Sequence, residues 1–130
     1  MAGHFYKIAL LIFTNTKTES LSAHKIIESM IKDHELGVLK DVQVLDRDES
    51  IIGPVVEDYK NTNLGMIILM AKDAEGFFPF SELEEIGQRN DKFLVTLNLN
   101  ENLANNFQGI IDKVKASKGK PYRGCENSCS

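Results

Sequence analysis

The chain has 130 residues, a mass of 14.6 kDa and a net charge of -4 at pH 7, with 42% hydrophobic and 26% charged residues. That length suits one domain around one core, and the acidic balance excludes a general nucleic-acid binder, which carries a basic excess. The longest apolar run is too short to cross a bilayer, and both cysteines fall in the last six residues, so the fold must rest on hydrophobic packing and not on disulfides.

The opening segment, Met1-Ala2-Gly3-His4-Phe5-Tyr6-Lys7, runs straight into an apolar stretch. It has no basic region, long apolar core or cleavage site of a signal peptide, which makes the cytoplasm the expected compartment. Residues 8–13 are uniformly apolar, as in a strand covered on both faces. Ala23, Ile26, Ile27, Met30, Ile31 and His34 then recur at helical spacing, Thr16 and Glu19 stand at capping-box spacing, and Gly37 is the expected stop. Residues 42–45 form a second, shorter strand. Gly53-Pro54 predicts a helix start with proline at the first helical position, and Val55, Val56 and Tyr59 supply its inner face.

Residues 64–70 are the second uniformly apolar run. Ser81 and Glu84 are placed to cap a third helix that buries Leu83 and Ile86. Phe93, Val95, Leu97 and Leu99 alternate in a last strand, and Leu103, Phe107, Ile110, Ile111 and Val114 line a last helix ending near Gly119. The division is a single α/β domain over 1–119 and a flexible tail over 120–130 that carries Cys125 and Cys129.

Strands apolar throughout belong in the middle of a sheet, and short or alternating strands belong at its edges. With right-handed crossovers this predicts a three-layer α/β sandwich with a four-stranded parallel sheet in the order 2-1-3-4. A ferredoxin-like α+β sandwich is the rival, but it makes poor use of residues 64–70. In the favoured order the chain reverses direction between strands one and three. Ligands bind outside the carboxyl ends of the strands at such a point. The loops flanking it are residues 14–20 and 71–80.

The first loop gathers Thr14, Asn15, Thr16, Lys17, Thr18 and Ser20 at a helix N-terminus, where hydroxyls, amides and a lysine suit a phosphate. The same residue types also serve simply as a helix cap facing water. The second loop, Ala71-Lys72-Asp73-Ala74-Glu75-Gly76-Phe77-Phe78-Pro79-Phe80, concentrates three phenylalanines. They fit a ligand platform, a partner-binding anchor or a staple that seals the core.

The stretch Thr14-Asn15-Thr16-Lys17-Thr18-Glu19 resembles the phosphate loop of flavodoxins, whose pattern is Ser/Thr-x-Thr-Gly-x-Thr, although it carries no glycine. The resemblance covers this loop and the general strand–helix order. It implies a flavodoxin-like fold holding FMN or a nucleotide. Thr14, Asn15, Thr16, Lys17 and Thr18 would lie on the phosphate, and Phe77 and Phe78 on the ring. Glu85-Ile86-Gly87 is similar to the acidic element of nucleoside deoxyribosyltransferases and related N-glycosidases, which implies a glutamate acting at a sugar's anomeric carbon. The rest of that pattern is missing.

His4, His24 and His34 are scattered, and no His/Cys/Asp/Glu set has metal-ligand spacing, so no metal site is expected. Cys125 and Cys129 are separated by three intervening residues, without a second pair. Lys113, Lys115, Lys118, Lys120 and Arg123 make the end of the chain locally basic, as suits a helix C-terminus or an anionic partner. The expected function is therefore binding of a small phosphate-bearing ligand. The alternatives are a regulatory module that docks a protein partner through Phe77, Phe78 and Phe80, and an enzyme acting through Glu85.

Overall fold

The computed structural model describes residues 5–48, 52–59, 62–90 and 92–117. The tail with Cys125 and Cys129, the expected stop at Gly119, and His4 lie outside the described residues.

Strand β1 (Tyr6–Phe13) pairs in parallel with β2 (Gly37–Leu45) on one side and β3 (Met66–Ala71) on the other. Strand β3 pairs in parallel with β4 (Phe93–Asn98), which gives the expected order β2-β1-β3-β4. All six residues of β3 are buried at the centre of the sheet, which rules out the ferredoxin-like alternative.

Successive strand residues face opposite sides, and each side has its own core. Ile8, Leu10 and Ile12 pack with Ala23 and Ile27 of α1 (Lys17–Asp33) and with Phe107 and Ile111 of α5 (Leu103–Ala116). Ala9, Leu11 and Phe13 pack with Val56 of α2 (Ile52–Glu57), Ala74 of α3 (Ala74–Phe77), and Leu83 and Ile86 of α4 (Phe80–Asn90). All five apolar positions foreseen for the last helix are buried.

Several local expectations are corrected. Thr16 is the N-cap of α1 but makes no side-chain capping bond. The Thr14 hydroxyl takes the Thr16 N–H at 3.1 Å and donates to Glu19 Oε1 at 3.2 Å, which draws Glu19 away from a capping box. Gly37 does not stop α1. The helix closes at His34, and Glu35 makes the left-handed turn with φ of 51°. Gly37 instead opens β2, where a methyl group would overlap the Tyr6 carbonyl.

Strand β2 is longer than residues 42–45 because Lys40 and Asp41 interrupt the apolar pattern at a bulge without ending the ladder. Pro54 is the third residue of α2, still in the first turn where its missing N–H costs no helical bond. Ser81 lies inside α4, which begins at Phe80, and the foreseen loop over 71–80 contains the short helix α3. Ile26 is 38% exposed, outside the apolar face assigned to it.

Candidate functional site

All four strands point their carboxyl ends the same way, so the connections after β1, β2, β3 and β4 share one rim. The switch point between β1 and β3 lies in its middle, with residues 14–20 and 71–80 on either side. Asn15, Thr16, Lys17 and Thr18 are exposed there, while Thr14 is 8% exposed and belongs to the end of the strand.

Side chains tie the rim together. Glu19 bridges two loops, taking the Thr14 hydroxyl on one oxygen and standing 3.0 Å from Lys72 Nζ with the other. Arg47, just past β2, donates from Nη1 to the Lys72 carbonyl at 2.7 Å. Its guanidinium carbon lies 4.3 Å from the centre of the Phe77 ring, a cation–π distance. Asn15 is a strut: its Oδ1 accepts from Arg47 N–H at 3.1 Å and its Nδ2 donates to Asp48 Oδ2 at 2.9 Å. Thr16, Lys17 and Thr18 therefore remain the polar side chains of the first loop turned to solvent without a role in the rim.

The aromatic loop divides. Phe78 is 3% exposed and packs edge-on to Phe13, with ring centroids 5.6 Å apart. It is a core residue and does not present a face to a ligand or a partner, which corrects its assignment to the ring. Phe77 and Phe80 are half-buried, and Phe77 lies under Arg47, so the three rings do not form an exposed anchor. Glu85 is exposed on α4, between buried Leu83 and Ile86 in sequence, and is not among the residues lining the cavities of about 260 and 270 Å³ described below.

A cavity of about 270 Å³ opens beside the first turns of α1, between them and the start of α5. Ala23, Ile26, Leu99 and Leu103 give it an apolar floor, and Thr18, Glu19, Ser22, Asn100 and Glu101 give it polar groups. Its two carboxylates accept hydrogen bonds from hydroxyls and repel additional phosphate. A second cavity of about 260 Å³ lies along β4. Beside it, Asn98 Oδ1 accepts the Ala74 N–H at 2.7 Å, which holds the turn where Asp73 adopts φ of 53°.

Sequence reasoning did not single out Arg47, Asp48, Lys72 or Asn100. Their one sequence signal is position: each stands within a few residues of the carboxyl end of a strand. Among the described residues no His/Cys/Asp/Glu group could hold a metal, and no helix is long and apolar enough to cross a membrane.

The sequence matches no protein-family model and no curated protein. Among solved structures, homoserine dehydrogenase of S. aureus at pH 7.0 aligns with 91% of this chain at 18% identity and a TM-score of 0.44. The same enzyme at pH 8.5 gives 0.44, and at pH 6.5 it gives 0.42. The chain spans about a third of that enzyme's length, 32%. A likeness at this level says nothing about ligand or reaction.

Proposed function

We propose that this chain binds a small phosphate-bearing ligand, a nucleotide or flavin, at the carboxyl rim of the sheet, between the helix start that follows β1 and the loop that follows β4. The observation that carries the reading is the cavity of about 270 Å³ that begins at Thr18 and Ser22, next to the exposed first turn of α1. A phosphate resting on Thr16, Lys17 and Thr18 meets two hydroxyls, an ammonium and the unpaired N–H groups of a helix start. The remainder of the ligand enters the cavity, where Glu19, Asn100 and Glu101 suit sugar hydroxyls and the apolar floor suits a ring.

The volume is just under the roughly 300–1,000 Å³ of drug-sized pockets, which favours a mononucleotide over a dinucleotide. Glu19 and Glu101 favour a single phosphate over a chain of them. Phe77 packs with the core on the opposite face of the sheet, beneath Arg47, and lies outside this cavity.

Thermal unfolding with AMP, ADP, FMN and inorganic phosphate tests this. A ligand held at a hundred times its Kd stabilises the chain by about 2.7 kcal/mol. Lys17→Ala weakens that binding, and Ser22→Trp, which fills the cavity mouth, abolishes it. No shift with any of the four at millimolar concentration, or binding that both variants leave intact, overturns the reading.

A further inference from the structure

In the cavity of about 270 Å³, Thr18, Glu19, Ser22, Ala23 and Ile26 share one face of α1, at the spacings of three and four residues that bring helix side chains together. The polar residues stand at the start of the helix, and Ala23 and Ile26 stand further along it. Leu99, Asn100, Glu101 and Leu103 face them from the turn after β4 and the first residue of α5. Polar groups thus gather at the end nearest Thr16 and Lys17, and the apolar floor extends away from them.

No lysine, arginine or histidine lines this cavity. Its charged groups are two carboxylates, which accept hydrogen bonds and cannot donate them. A ligand group between them must therefore donate. The edge of a nucleobase mixes donors with acceptors fixed in the ring, and a carboxylate oxygen repels each of those acceptors. A sugar hydroxyl turns about its C–O bond and donates wherever an acceptor lies.

The two carboxylates are not equivalent. Glu101 is exposed, whereas Glu19 is half-buried and held in place without a ligand. Its Oε1 accepts from the Thr14 hydroxyl at 3.2 Å, and its Oε2 stands 3.0 Å from Lys72 Nζ, which offsets its charge. Each oxygen keeps capacity for a further hydrogen bond. An acceptor fixed beforehand loses little side-chain freedom when a ligand arrives. Glu19 also directly follows Thr18, at the phosphate end of the cavity, and in a mononucleotide the sugar is the group joined to the phosphate.

We infer, resting on the nucleotide reading above, that the ligand is a ribonucleotide and that Glu19 selects it by accepting a hydrogen bond from the ribose 2′-hydroxyl. A 2′-deoxyribonucleotide turns a C–H toward the same carboxylate and leaves its free lone pair without a donor, which is how a polar site rejects an analogue that lacks a hydroxyl. The base rests on Ile26, Leu99 and Leu103.

Isothermal titration calorimetry of the full chain with AMP and 2′-deoxy-AMP tests the inference. A hydrogen bond to a charged acceptor predicts a preference of about ten- to a hundredfold for AMP. Glu19→Ala brings the two affinities together, because removing the acceptor penalises only the ligand that donates to it. Alanine is a strong helix former and the ion pair it removes lies at the surface, so the far-ultraviolet circular dichroism stays unchanged. Glu19→Gln, which keeps an uncharged acceptor of the same reach, retains an intermediate preference and decides the matter should Glu19→Ala not fold. Glu101→Ala keeps the preference of the parent chain. Equal binding of AMP and 2′-deoxy-AMP overturns the selection and leaves the nucleotide reading standing. A preference that survives Glu19→Ala, or that disappears with Glu101→Ala instead, overturns the role of Glu19. Binding of neither nucleotide overturns both readings.

Discussion

At the amino ends of the strands, neighbouring segments are fixed by close backbone approach and a buried lysine; beyond the carboxyl ends the loops are tied largely by long side chains at the surface. Gly37 lies against the Tyr6 carbonyl with no room for a methyl group. The Lys92 ammonium is buried and donates to the Leu64 carbonyl at 2.6 Å and the Thr62 carbonyl at 3.0 Å, which fastens the start of β4 to the approach to β3. At the other end, contact rests on Glu19 with Lys72 and on Arg47 over Phe77, with cavities on either side. Backbone contacts have one solution. Side-chain contacts between exposed ions have many and are worth little individually. One end holds the sheet in register, and the other can exchange side-chain contacts without disturbing it.

The largest test of that contrast is Gly37→Ala. A Cβ overlapping a backbone oxygen cannot be relieved by a rotamer change, so β1 and β2 must separate where their ladder begins. Overpacking of this kind costs about 3 kcal/mol, or a fall in Tm of about 12 °C for a chain this size. Differential scanning calorimetry measures it. A fall of only a degree or two would show that the amino end is as adaptable as the rim.

The same contrast explains what was legible in the sequence. Burial on both faces leaves a signature in single residues, so residues 8–13 and 64–70 could be placed centrally and the strand order followed from handedness alone. The inner faces of α4 and α5 were legible for the same reason: Leu83, Ile86, Phe107 and Ile111 repeat at the helical period. The start of β2 was hidden because its bulge at Lys40 breaks the alternation that marks a strand. The rim was hidden more deeply. Arg47 reaches the Lys72 carbonyl across 25 positions, and nothing local in either residue announces the other. In a loop without periodicity, no rule distinguished Phe78, which turns into the core, from Phe77, which lies beneath a guanidinium.

A middle-sized effect is expected at Tyr59, on the locked side of the molecule. Its hydroxyl donates to Asp41 Oδ2 at 2.6 Å and accepts from the Gln43 amide. Burial, followed by the bond to the Asp41 carboxylate, pushes its pKa from 10.0 up to about 12. The folded chain thus keeps a proton that the unfolded chain loses near pH 10. The resulting stabilisation is complete below pH 10 and drains away as pH rises toward 12. Lys92 titrates in the opposite sense, because burial lowers its pKa and the folded chain sheds that proton first. Comparing Tyr59→Phe with the parent chain separates the two. Urea unfolding from pH 8 to pH 12 should show a loss of about 1 kcal/mol at neutral pH, shrinking as pH rises between 10 and 12. A difference that stays constant across that range would mean that the hydroxyl is not held in its neutral form.

The smallest effect on stability is expected at Lys72→Met, and that smallness is informative. Lys72 is 63% exposed and its partner Glu19 is 30% exposed, so the ion pair works in high dielectric and is screened by salt. Its loss should change unfolding free energy by less than about 1 kcal/mol. The methionine stem still covers the surface that the lysine stem covered. The Arg47 bond to residue 72 also survives, because it is made to the backbone carbonyl. What changes is the Glu19 carboxylate, which stays bonded to Thr14 but loses its counter-ion at the mouth of the cavity. An uncompensated negative charge there repels a phosphate on the first turn of α1 and leaves a neutral nucleoside unaffected. Affinity for AMP should therefore fall several-fold at low salt and recover as salt is raised, while adenosine binds equally well to both forms. If Lys72→Met instead unfolded the chain as readily as Gly37→Ala, the rim would be part of the scaffold, and the division between a locked end and an adjustable end would fail.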